Sequence, residues 1–214
     1  MIRAGTRRER RSQADRSSAS ELKLLSAAAL VLVEEGYSAL TFDRIGEVSG
    51  FSRGLASQKF GSKDGMVLAV VDYLNARLDS RYAEGRDAAG NPLDEVIAYV
   101  RTFLEEIAVD HLSLSYFVLL AATIANKAPT QPAFVEAHQK VKKALVLMIE
   151  RGQKSGIIRT DVDPETAALS IGSFQLGVAT QLRLDPTLDV GKISRWMLPA
   201  IRAALEVPGR PDPD

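Results

Sequence analysis

The sequence predicts an all-α chain of about nine helices, and three observations predict it. Apolar residues recur three or four positions apart through most of the 214 residues, which is the spacing of one helix face. No stretch alternates apolar and polar residues as a half-buried strand does. Ser, Thr, Asn-Pro and Asp-Pro recur where helices would start, and Gly recurs where they would end.

Residues 1–18 are polar and rich in arginine (Arg3, Arg7, Arg8, Arg10, Arg11 and Arg16). They are expected to be a basic disordered arm, either a solvated tail or a contact to DNA phosphate or minor groove. Ser18 with Glu21 makes a capping-box pattern, so the first helix is expected to start there, with Leu22, Leu25, Ala28, Ala29 and Leu32 following at helical spacing. Gly36 ends it. Thr41 caps a second helix through Val48, with Phe42, Ile45 and Val48 inward. Ser49-Gly50-Phe51 is a turn, and Ser52 caps a third helix ending near Phe60. Ser62 caps a long fourth helix through Met66, Val67, Val70, Val71 and Leu74.

After Gly85, Asn91-Pro92 opens a helix to about Val109, and Leu112 to Asn126 forms a more apolar one. Pro129 and Pro132 break the chain before a long helix to about Ser155, ended by Gly156. Asp163-Pro164 opens a helix to Leu184, which Asp185-Pro186 ends. Residues 189–206 make the last helix, with Pro199 as an expected kink. A short tail follows from Pro208.

Composition excludes several classes. Cysteine is absent, so there is no disulfide framework, thiolate nucleophile or thiolate metal site. No run of about 18 apolar residues exists, so no membrane span is expected. The basic N-terminus lacks an apolar segment, so no secretory signal is expected and the chain should be cytoplasmic. The net charge is zero, but it is unevenly distributed. Residues 1–64 carry 11 Lys+Arg against 8 Asp+Glu, and the remainder carries 16 against 19. The basic part contains the second and third helices and the turn between them, and its sign and position fit phosphate contact.

Helix, tight turn and capped helix make a helix-turn-helix pattern. Its second helix must lay its N-terminal residues against base edges in the major groove. The expected DNA-contacting set is Thr41, Arg44, Ser52, Arg53, Gly54, Leu55, Ser57, Gln58, Lys59 and Lys63. Arg53 suits a bidentate guanine contact, with a phosphate contact as the alternative. Gln58 suits adenine or phosphate. Gly54 permits close approach, and Lys59 and Lys63 suit phosphate. Ile45, Val48, Phe51 and Leu55 or Phe60 pack the interior.

Over about 50 residues, from Leu22 to Asp72, the chain resembles the DNA-binding domain of the TetR (tetracycline-repressor-like) family of transcriptional regulators. The resemblance is carried by Ala28-Ala29, Glu35-Gly36-Tyr37, Leu40-Thr41, Ile45, Ser49-Gly50-Phe51-Ser52-Arg53-Gly54, Phe60 and Ser62-Lys63-Asp64. It implies that the third helix reads the major groove and that Lys63 begins the fourth helix beside phosphate. The chain departs from the family where Ala56-Ser57 replaces a usual Leu-Tyr pair and Lys59 replaces an aromatic. The family tyrosine contacts phosphate, so Ser57 and the charge of Lys59 are expected to compensate, with an operator unlike the family norm.

The same resemblance implies four parts: the arm 1–18, a DNA-binding domain 19–64, an effector-binding and dimerisation domain 65–207, and a tail 208–214. It implies a homodimer on a palindromic double-stranded DNA operator and repression relieved by a small-molecule effector; from the residues themselves, no cofactor or metal is expected. Helix 164–184 is the expected dimer helix, through Ala168, Leu169, Gly172, Ser173, Leu176 and Ala179, with Gly177 and Leu182 beside them. Packing within one chain is the alternative. Tyr99, Phe103, Tyr116, Phe117 and Phe174 are the expected lining of a lipophilic effector pocket, with His111 and His138 as further candidates.

Catalysis is disfavoured. There are two histidines and no cysteine, and no His-Glu-x-x-His, phosphate loop, dinucleotide fingerprint or nucleophile elbow. A non-specific architectural DNA binder is the other alternative, but it leaves the large C-terminal part without a purpose.

Overall fold

Nine α-helices and two short 3-10 turns make up residues 13–87 and 89–208, the part of the chain that the computed structural model describes. The helices are α1 (Gln13–Glu34), α2 (Phe42–Ser49), α3 (Arg53–Phe60), α4 (Lys63–Asp87), α5 (Pro92–Val109), α6 (Ser115–Asn126), α7 (Gln131–Lys154), α8 (Pro164–Leu184) and α9 (Val190–Leu205). The 3-10 turns are Tyr37–Ala39 and His111–Leu114. The arginines of residues 1–12 and the tail beyond Pro208 lie outside the described residues.

Most helix starts are set by one side chain each. Thr41 Oγ1 accepts from the Arg44 amide at 3.2 Å, and Ser52 Oγ from that of Leu55 at 3.2 Å. Ser62 Oγ accepts from Gly65 at 3.0 Å, and Asn91 Oδ1 from both Leu93 and Asp94 at 3.0 Å. Asp163 and Asp189 do the same for Thr166 and Lys192. Each cap satisfies an amide that the helix leaves unpaired and is worth about 1 kcal/mol.

The Ser18 start is overturned. α1 begins at Gln13, so Ser18 and Glu21 lie inside the helix and form no capping box. Glu21 instead reaches Lys59 on α3 at 2.8 Å. The helix predicted from Leu112 begins at Ser115, after the 3-10 turn. α9 runs through Pro199.

Two apolar cores organise the helices. The first gathers Leu24, Leu25, Ala28 and Leu32 of α1, Ile45 of α2, Ala56 and Phe60 of α3, and Met66, Val67, Val70, Val71 and Leu74 of α4. Leu119 and Leu120 of α6 and Phe134 of α7 belong to it as well. The second gathers α5, α7, α8 and α9 around Val96, Val100, Leu104, Leu145, Ile149 and Ile171. Val33, at the end of α1, lies in this second core, while Leu78 and Tyr82 of α4 pack against it. α1 and α4 therefore run through both cores and tie them together. Arg183 of α8 adds a direct bond to the carbonyl of Val33 at 3.1 Å. An isolated bridge between Ile158 and Glu206 fastens the loop after α7 to the end of α9.

Candidate nucleic-acid interface and ligand cavity

α2 and α3 cross so closely that one residue between them has no room for a side chain. A Cβ on Gly46 would lie 2.9 Å from the Phe51 carbonyl oxygen and 3.2 Å from the Arg53 amide nitrogen. Gly50 ends α2 at φ 75°, the left-handed region that glycine enters without strain. Ile45, Ala56 and Phe60 fill the interior of the unit. The outer face of α3 holds Ser52, Arg53, Gly54 and Gln58, all exposed, while Leu55 and Ser57 are half-buried.

The cations predicted on this face are not equivalent. Arg53 is the most open, with 69% of its side chain exposed and a long ion pair to Asp43, at 3.6 Å. Arg44 is held by Glu35 at 2.8 Å and by Glu47 at 2.8 Å. The hydrogen bond that it donates to Glu35, then that to Glu47, raises its pKa further above the ordinary arginine value. Lys63 donates to the Tyr37 carbonyl at 3.1 Å and lies 4.1 Å from the centre of the Tyr37 ring. Burial lowers its pKa. Tyr37 was not among the predicted site residues, although it belongs to the motif, because nothing local says that its carbonyl and ring would receive Lys63.

Lys59, expected to compensate by charge, is already paired within the chain. Its ammonium bonds Ser17 Oγ and Glu21 Oε2, each at 2.8 Å, and so braces α3 against α1. We predict that Lys59→Ala changes the slope of log affinity against log salt by much less than the roughly 0.9 expected for one lost phosphate contact. Binding isotherms over a salt series check this, and a full unit of slope lost per chain would contradict it.

The second core opens into a cavity of about 540 Å³, within the size range of small-molecule sites. Tyr99, Phe103, Tyr116 and Phe117 line it as predicted, joined by Leu74, Leu78, Tyr82, Leu120 and Phe134. Tyr82 and Tyr99 stack with ring centres 4.0 Å apart. Burial pushes the Tyr99 hydroxyl up to about 12 and raises the Tyr82 and Tyr116 hydroxyls as well. His138 also lines the cavity and stacks on Tyr116 at 6.0 Å. More than a third of its surface is exposed, yet the surrounding wall still lowers its pKa by desolvation.

Two predictions for α8 need correction. Phe174 does not line the cavity and packs against the second core instead. Ala168 and Ala179 are 1% and 0% exposed within the single chain, so neither is free to meet a partner. Their small size serves packing inside the chain. Ala168, Leu169, Gly172, Ser173 and Leu176, all predicted for the dimer, line the cavity. Leu169 and Ser173 also remain exposed, as do Gly177, Thr180 and Leu184. On α9 the exposed residue that sequence reading missed is Trp196, at 73%.

Polar contacts link the cavity to α1. Glu106, a cavity residue only 8% exposed, lies 3.7 Å from Arg77 and 3.5 Å from Arg81. Arg77 also pairs with Asp110 and donates to the Tyr73 hydroxyl at 3.2 Å. That hydroxyl meets Ser26 Oγ of α1 at 3.0 Å.

Comparison with known proteins agrees with this arrangement. Residues 24–70 match the family described as bacterial regulatory proteins, tetR family. The chain is 30% identical over 142 residues to the HTH-type transcriptional regulator CymR of Pseudomonas putida, covering 66% of this chain and 67% of that protein. It is 29% identical over 173 residues to the HTH-type transcriptional repressor AcnR of Corynebacterium efficiens, covering 78% and 84%. Among solved structures, a TetR transcription regulator of Haloarcula marismortui matches with a TM-score of 0.77 at 20% identity, covering 89% of this chain and 100% of that one. The ketosteroid transcriptional regulator KstR2 of Mycobacterium tuberculosis matches at 0.68 and 21%, covering 87% and 95%. At these identities the solved structures show the fold alone.

Proposed function

The chain belongs to the tetR family of bacterial regulatory proteins and is a transcriptional regulator rather than an enzyme; on that premise we propose that it is a repressor that binds a palindromic operator as a homodimer and leaves it when a small lipophilic effector fills the cavity. One observation carries this reading. Leu74, Tyr116, Leu120, Phe134 and Leu176 line the cavity and also pack in or against the core beneath the helix-turn-helix. A ligand that moves those side chains alters the seat of α1 and α4, and through them the position of α3. The chain Glu106–Arg77–Tyr73–Ser26 supports the same coupling by a polar route. An effector acts this way only to the extent that it binds the two arrangements with different affinity.

Reading two half-sites about one helical turn apart needs two copies of α3 related by a two-fold axis. The outer faces of α8 and α9 suit that contact. Leu184 at 76% exposure and Trp196 at 73% are large apolar side chains left in solvent; on α8, Ser173, Gly177 and Thr180 recur at helical spacing with Leu184, and their small size permits close approach. Arg53 and Gln58 are the proposed base-reading residues, with Thr41, Ser52 and Ser57 toward phosphate.

Sedimentation of the chain alone and with duplex DNA tests this. The expected result is a dimer, with two chains per bound duplex. Trp196→Asp should give monomers that no longer bind DNA specifically, because a charge placed in an apolar interface has no partner. A Trp196→Asp chain that is still dimeric would move the interface elsewhere, and a wild-type monomer that binds one half-site would sink the two-fold reading.

A further inference from the structure

We infer that the cavity selects a neutral, largely apolar ligand whose one hydrogen-bond acceptor, a ketone or ester carbonyl, is received by the side-chain amide of Gln175. This rests on the cavity being an effector site and adds the chemistry of what enters it.

Gln175 is a cavity residue on α8 and is only 5% exposed. Its amide lies beside the Tyr82 hydroxyl, yet Nε2 completes no hydrogen bond and is the one buried side-chain polar atom without a partner among the described residues. A buried amide nitrogen with nothing to donate to is unfavourable, and such groups are rare in folded proteins. A ligand acceptor placed there removes the penalty. Around it the wall is aromatic and aliphatic, from the stacked Tyr82 and Tyr99 to Phe103, Tyr116 and Phe117.

The charges of the wall argue against an anionic ligand. Lys142 is the one lysine or arginine among the lining residues, and it is paired with Glu165. Glu106 brings negative charge into the wall, and Arg77 and Arg81 beside it already face its carboxylate. Desolvation holds His138 toward its neutral form. A carboxylate or sulfonate ligand would therefore lose its hydration without gaining a free cation. A carbonyl loses far less and gains the Gln175 donor.

Fluorescence titration of the full chain with two environment-sensitive probes tests this. Prodan is a neutral naphthyl ketone, and anilinonaphthalene sulfonate is an anion of related shape. Prodan should bind saturably, with blue-shifted emission and roughly tenfold or more tighter than the sulfonate, the worth of a buried hydrogen bond in affinity. Gln175→Leu should weaken prodan about tenfold, leave the sulfonate unchanged, and raise the melting temperature of the ligand-free protein. A loss that came only from damaged packing would lower that temperature instead, and Gln175→Met gives a second, more pliable apolar replacement. Gly172→Phe, at a position where a Cβ meets nothing within 4 Å, should fill the cavity and abolish prodan binding. Sulfonate binding as tight as prodan, or full prodan affinity in both Gln175 variants, would overturn the ligand class alone. Absence of saturable binding by either probe, or prodan binding that survives Gly172→Phe, would instead overturn the cavity as the effector seat.

Discussion

Replacing Arg53 with alanine is expected to abolish most operator discrimination while leaving the fold intact. The side chain is largely exposed and its ion pair with Asp43 is long, at 3.6 Å, so the change in stability should stay within about 0.5 kcal/mol. A bidentate arginine–guanine contact is worth about 1–3 kcal/mol. A two-fold dimer makes it twice, so the complex should lose on the order of 2–6 kcal/mol, or roughly thirtyfold at the least. Arg53→Lys separates base reading from phosphate contact. Lysine keeps the charge and loses the planar fork. It should therefore keep the salt slope of binding and still lose specific affinity. Gel-shift titrations with the operator and with an unrelated duplex measure both, and an Arg53→Lys protein as specific as the wild type would reassign Arg53 to phosphate.

Gly46→Ala is the second large effect and acts by another route. Alanine in a helix interior gains up to about 1 kcal/mol over glycine. Here the added carbon would sit 2.9 Å from the Phe51 carbonyl and 3.2 Å from the Arg53 amide. Both are backbone atoms, one of the turn and one of the first residue of α3, so relief requires α3 to move. Overpacking of this kind costs about 1–3 kcal/mol, which outweighs the propensity gain. The melting temperature should fall by a few degrees, at about 2–4 °C per kcal/mol for a chain of this size. DNA affinity should fall further than stability does, because the displaced helix is the one proposed to read bases. Circular dichroism melting alongside operator binding checks the pair. Unchanged affinity would mean that the turn has slack that the close contacts do not reveal.

These two residues also show what was legible in advance. Arg53 stands out in the sequence because a capped helix after a Gly turn makes its position special. Gly46 does not, since a glycine inside a helical pattern reads only as a weak position until the crossing partner is known. The same division runs through the chain. α8 spans Pro164–Leu184 as predicted, because Asp-Pro pairs mark both ends. α1 starts five residues before the expected Ser18, because Glu21 is engaged by a lysine 38 positions away instead of by its own helix start. Tyr99, Phe103, Tyr116 and Phe117 were recognisable as cavity residues from their aromatic character on helices of the C-terminal part. Phe174 was not separable from them by type, and its neighbour Gln175 reads as a solvent-facing residue until burial is seen. Ala168 and Ala179 mislead for a related reason. Small residues permit close packing whether the partner is a second chain or the same one, and only the three-dimensional arrangement distinguishes the two. Trp196 went unnoticed because one aromatic in an amphipathic helix reads as core.

Two-fold reading of specific DNA is tested most directly by selecting bound duplexes from a random pool with the purified full chain at two salt concentrations. The expected result is recovery of a palindrome at both, with half-sites about one helical turn apart, and with guanine enriched at one position of each half-site, the position assigned to Arg53. Duplexes without a shared motif, retained only at low salt, would contradict it and reduce the helix-turn-helix to a general phosphate-binding surface.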